Sequence, residues 1–199
     1  MTFAQGWSCV TRGQPCARSC GYSLIEVLCV CLVTAIVAGV TIPQTAGVIA
    51  RARTMAAARY VAAQLQSARG QAAARSTYVG VRVIKRGSSL VVASFRDGNR
   101  NGVRSNDIVA GLDPQVGSEA DLGDLFPGLQ AGTADGVAAP PAMVDETSLY
   151  SFGPNGTASS GTIYLHGQEV QYAVRVLGAT GRVRVLRYQT ATSEWVDVR

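Results

Sequence analysis

An uncharged apolar run from Val27 to Ile42, entered through the lone carboxylate of Glu26, constrains this chain more than any other feature. Counted from Tyr22, the segment 22–42 has the length and composition of a membrane-crossing helix. A charge near mid-bilayer costs about 2.5–3.5 kcal/mol, so an acid at the head of such a run needs a partner or a task. The plain alternatives are an ordinary signal anchor and a Glu26 that snorkels to the interface.

Orientation follows from length rather than charge. Arg12 and Arg18 lie before the run and Arg51 and Arg53 after it, so basic residues flank both ends. Only the long C-terminal part can be a translocated domain, which puts the head on the far side of the membrane. No small-residue cleavage site follows the run, because Ile42-Pro43-Gln44 is a poor one, so the span should be retained.

Gly21-Tyr22-Ser23-Leu24-Ile25-Glu26-Val27 resembles the class III signal of type IV prepilins and of the pseudopilins of type II secretion. The resemblance implies that a prepilin peptidase removes residues 1–21 after Gly21 and methylates the new N-terminus at Tyr22. It gives Glu26, then the fifth residue, an assembly role: neutralising the α-amino group of Tyr22 on a neighbouring subunit, where low dielectric makes the attraction strong. It also implies an inner-membrane assembly platform and a periplasmic head.

Further motifs extend the likeness over about residues 21 to 188, to the GspH/FimT-type minor pilins and pseudopilins. They are Ser67-Ala68-Arg69-Gly70-Gln71-Ala72, the stretch from Phe95 to Gly102, Phe152-Gly153-Pro154-Asn155-Gly156, and Gly181-Arg182-Val183-Arg184. Gly70-Gln71 departs from the family's Ser-Glu, and no C-terminal cysteine pair is present. The five cysteines fall at 9, 16, 20, 29 and 31, so the head has none and must hold together through its core.

The elements can be placed by period. Tyr22 to about Arg75 reads as one helix of roughly 80 Å, loosened at Pro43 and Gly47, with 43–75 as its outer half. Ala57, Val61, Leu65 and Ala68 form an apolar stripe suited to packing on a sheet. Alternating residues predict strands near 79–84, 90–95, 149–152, 162–165, 169–177 and 182–188, with a short edge at 194–198. Residues 111–146 show no periodicity and read as a long loop. The expected fold is α+β: one long N-terminal helix packed on antiparallel β-sheets, with a β-rich head over 76–199 in the type IV pilin manner.

Charge is uneven. Eleven basic residues and one acid, Asp97, lie between Arg51 and Arg104, whereas Ser105 to Val174 holds nine acids and no Lys or Arg. An acidic loop, 107–146, thus sits between basic flanks. If Gly178-Ala179-Thr180-Gly181 closes a hairpin, Val174 faces Val185, Val176 faces Val183, and Arg175 stands opposite Arg184 with Arg182 on the same face. Opposed like charges are destabilising, so an anion is expected there, either the acidic loop or phosphate. Arg187 points to the other face.

Asp97-x-Asn99-x-Asn101-Gly102 matches the opening of a calcium loop. Ile108 occupies the position of the bidentate acid, Asp107 comes one residue early, and Asn and Gly also suit a metal-free turn. No nucleophile elbow, phosphate loop or Cys–His pair occurs in the head, and His166, the only histidine, reads as part of a turn, so no enzyme is expected. The resemblance points to a minor pilin that primes or caps a type IV pilus. A type II secretion pseudopilin is the alternative within the class. A DNA-binding minor pilin for DNA uptake, using Arg175, Arg182 and Arg184, is the alternative outside it.

Overall fold

The computed structural model describes residues 22–134, 137 and 147–198, with side chains except at 40–44 and 147. The chain divides into two compact units at Ile42 and Pro43. A helix, α1, runs Leu24–Arg75 and contributes to both. In the first unit its apolar side chains face outward: Leu24, Ile25, Leu28, Leu32 and Ile36 are each more than half exposed. Among the described residues no helix is long and apolar enough to cross a membrane.

The second unit is built on the outer part of α1. Its composition is rich in Ala, Arg and Gln, strong helix formers, and the expected stripe is buried: Ala57, Val61, Leu65, Ala68 and Ala72 are at most 1% exposed. Three of these are alanines, and their small side chains let two sheets approach the helix closely.

The first sheet comprises β1 (Val79–Arg86), β2 (Ser89–Arg96), β3 (Ala120–Asp121) and β5 (Thr147–Phe152), in the order β3-β2-β1-β5. The second comprises β4 (Gln130–Ala131), β6 (Gly161–His166), β7 (Gln171–Leu177), β8 (Arg182–Gln189) and β9 (Glu194–Asp197), in the order β4-β6-β7-β8-β9. All pairings are antiparallel. Period-2 alternation explains the core: Val79, Val81, Val83, Leu90 and Val92 from one sheet meet Ile163, Leu165, Val174 and Val176 from the other around Leu65. Burying a leucine fully stabilises by about 1.5–3 kcal/mol, so Leu65 is a main contributor.

Two expectations need correction. The stretch 111–146 is no featureless loop: β3, a short helix α3 (Leu122–Leu125) and β4 fall within it, preceded by α2 (Ser105–Val109). Leu122 is fully buried and Phe126 stacks at a tilt on Tyr60 of α1, 6.0 Å between ring centres. Apolar side chains too sparse to show a period still anchor the segment to the helix. His166 is the second: it ends β6, opposite Gln171 and Gln130, rather than lying in a turn.

A smaller cluster of Ala93, Phe95 and Val103, flanked by Ile108 and Leu149, seals the other face of the first sheet. Gly80 makes this possible. A Cβ there would stand 2.7 Å from Val103 Cγ1, so any side chain would displace the loop.

Candidate functional site

The N-terminal signal is only partly described. Gly21 lies outside the described residues. Tyr22 is 83% exposed just ahead of α1, and Glu26 is exposed in the first turn, where its amide donates to the Ser23 carbonyl at 3.0 Å. The helix N-terminus favours a carboxylate at that place without any partner.

The loop after β2 is organised by two buried carboxylates. Asp97, 7% exposed, accepts from the amides of Asn99 (3.1 Å), Arg100 (2.7 Å) and Gly102 (2.9 Å). Asp113, 2% exposed, accepts from the amides of Gly98 (3.1 Å) and Arg104 (3.1 Å). Asn99 Oδ1 accepts from the Asn101 amide at 3.2 Å, and Asn99 Nδ2 donates to Asp107 at 3.3 Å. The four calcium candidates, Asp97, Asn99, Asn101 and Asp107, therefore carry the turn's own hydrogen bonds. Among the described residues no group of three or more His, Cys, Asp or Glu side chains is arranged to hold a metal ion. Asp113, which the sequence motif does not include, is the second organiser of the loop.

The hairpin β7–β8 has the expected register: Leu177 pairs with Arg182, Val176 with Val183, Arg175 with Arg184 and Val174 with Val185. Pairing continues outward, so Thr162, Arg175 and Arg184 form one cross-strand row on the outer face, and Tyr164, Ala173, Leu186 and Asp197 form the next. Arg175 Nε donates to Thr162 Oγ1 at 3.4 Å, and Arg184 Nη1 lies 3.8 Å from Asp197 Oδ2. The acid beside the pair thus comes from β9, not from the described residues of the 107–146 loop. The described acids of that loop turn elsewhere: Asp113 to backbone amides, Glu119 to Arg86 at 3.8 Å and Asp121 to Ser89. Arg182 is exposed on the same outer face, and Arg187, paired with Tyr172, faces the other way.

Aromatics border the arginines. Trp195 packs against Tyr188 (5.2 Å) and Tyr164 (5.5 Å). Burial raises the Tyr164 phenol above its usual range, with Arg175 pulling partly the other way. Arg184 Nε and Trp195 Nε1 are shielded from solvent and make no hydrogen bond in the structure. The face combines guanidinium donors with flat apolar rings, a surface able to hold anionic or planar groups.

A family model described as type II transport protein GspH matches residues 57–181, from the packed half of α1 to the hairpin turn. No curated protein and no solved structure matches the chain. Arg175 falls within the matched residues, whereas Gly21, Tyr22, Glu26, Arg182 and Arg184 fall outside them.

Proposed function

Because the chain belongs to the family of type II transport protein GspH, we propose that it is a pseudopilin, a subunit of the filament of a type II secretion system. Residues 22–42 hold it in the inner membrane with the head in the periplasm until assembly draws it into the filament with other pseudopilins. The observation that carries this reading is the contrast along α1. Its outer part is buried against two sheets, while Leu24 to Ile36 presents apolar side chains on all sides and a single acid at its start. A helix apolar all round belongs in lipid or in the core of an assembly.

A minor pilin that primes or caps a type IV pilus is the second reading, supported by the arginine-bearing Gly181–Arg184 segment. In that setting the row of Arg175 and Arg184, with Arg182 and the ring of Trp195 beside it, is a candidate DNA-binding face, since stacking and phosphate pairing need these groups.

The test starts with processing. Mass analysis of membrane-extracted protein should find an N-terminus at a methylated Tyr22, and Gly21→Leu should leave a precursor heavier by residues 1–21. A mature chain that begins at Met1 or after Pro43 overturns the reading. Deleting the gene then separates the machines: lost protein secretion with intact pili marks a pseudopilin, and the reverse marks a minor pilin.

A further inference from the structure

The end of α1 opens into a concavity where the Phe95–Gly102 stretch and the turn at Pro154 meet. It has a volume of about 660 Å³ and is lined by Arg75, Tyr78, Arg96, Asp97, Arg100 and Pro154 among others. These residues come from the helix end, the β1–β2 edge, the Asp97 loop and the turn after β5. The register places them: Val79 pairs with both Arg96 and Phe152, so the strand ends that carry Tyr78, Arg96 and Pro154 lie side by side.

We propose that this pocket binds acidic side chains of a partner protein segment. Three guanidinium groups border it, and among the described residues none of the three forms an ion pair; the pairs present are Arg51–Glu169, Arg86–Glu119 and Arg184–Asp197. Asp97 forms no ion pair with them, because both its oxygens accept amide protons of its own loop. Three cations outnumber the carboxylates of Asp97 and of Asp113, which accepts from the amide of Gly98 on the same wall.

Arg100 supplies the second line of argument. Its φ is +65°, a left-handed conformation that glycine adopts freely and a side chain adopts at a cost. An arginine held there against its preference, in the lining of the pocket, is explained by use of the guanidinium. Such strained positions gather at functional sites. Ser76, at +50°, needs no such account, because it follows the last residue of the helix, where a left-handed residue is common.

Shape selects the ligand class. The volume lies in the range of small-ligand pockets, room for a short peptide turn but not for a duplex. The guanidinium fork matches a carboxylate with two parallel hydrogen bonds, and Tyr78 and Pro154 offer an apolar wall to a neighbouring side chain. The inference rests on the filament reading only for who supplies the acids, a subunit adjacent in the assembly.

The experiment uses the full chain in detergent and a fluorescent peptide of alternating Glu and Tyr, read by anisotropy. The Glu peptide should bind and its Gln counterpart should bind about tenfold more weakly, with affinity falling as salt rises. Arg96→Gln and Arg100→Gly should each lower affinity about tenfold. Arg100→Gly should not lower the melting temperature, which separates binding from folding. Arg187→Gln, on the second sheet and outside both arginine clusters, should change nothing. Equal binding of the Glu and Gln peptides, or an equal loss from Arg187→Gln, overturns the proposal. So does binding of inorganic phosphate or of duplex DNA to the pocket with no binding of the peptide. None of these outcomes touches N-terminal processing, so the two readings fail separately.

Discussion

Arg175 stands directly opposite Arg184 across the β7–β8 hairpin, and the carboxylate beside them is that of Asp197, 3.8 Å from Arg184. Two like charges in one cross-strand pair are unfavourable, and an exposed ion pair at that distance offsets them weakly. The pair is therefore better explained by what it meets than by what it stabilises.

Arg175→Thr should raise stability by a few tenths of a kcal/mol at low salt, with the gain fading as salt screens the repulsion. Urea unfolding at two ionic strengths measures this. If the face binds DNA, Arg182→Ala with Arg184→Ala should abolish binding, and the parent's log–log salt slope should be near −3 for three neutralised phosphates. A large stability loss in the double mutant, with no DNA bound by the parent, would assign the arginines to the fold.

Glu26→Val should leave the membrane-held subunit stable, since an apolar side chain suits lipid better than a carboxylate. Its incorporation into filaments should fall because a neighbour's N-terminus loses its counter-charge. Cross-linking of the assembled filament measures the incorporated fraction. Normal incorporation of Glu26→Val would remove the assembly role.

Asp97→Ala deprives three amides, those of Asn99, Arg100 and Gly102, of their acceptor in a part-buried setting. A loss of about 1–2 kcal/mol is expected, in line with donors that water can partly reach. Calcium should not raise the melting temperature of the parent, because the same oxygens already hold the turn. A clear calcium-dependent rise that Asp97→Ala removes would restore the metal reading of the loop.

Asp121 is held below the usual carboxylate range, first by the hydroxyl of Ser89 and then by the amide of Gly123, which it caps at 2.8 Å. A depressed folded-state pKa contributes stability that is present above the unfolded-state value and is lost as pH falls through the folded-state one. Asp121→Asn should therefore lower stability near neutral pH and flatten the acid limb of the stability curve below about pH 4. Parallel curves for parent and variant would show that the contact is too exposed to matter.

The helix, the strands of seven residues or so and the hairpin register were legible in the sequence because each repeats a short period. Ala57, Val61 and Leu65 announce a buried stripe by themselves. A four-residue turn leaves only one register in which Val174 and Val176 meet Val185 and Val183. The short elements between Ser105 and Ala131 have too few residues for a period to emerge. Leu122, Leu125 and Phe126 do show i, i+3, i+4 spacing, the one local signal that could have located α3.

What the chain alone determined is everything local: an apolar entry segment with one acid, an alanine-faced helix, alternating strands and a pair of arginines brought opposite by a tight turn. Tertiary structure decided which distant charges meet. Asp197 reaches Arg184 only because β9 adds to the edge of the second sheet. Asp113 joins Asp97 only because the segment after α2 folds back, and Arg75, Arg96 and Arg100 share a pocket only because a helix end and two strand ends coincide. Hydrophobic periodicity carries the first kind of information along the chain. The second arises when the core brings segments together, and no spacing in the sequence encodes it.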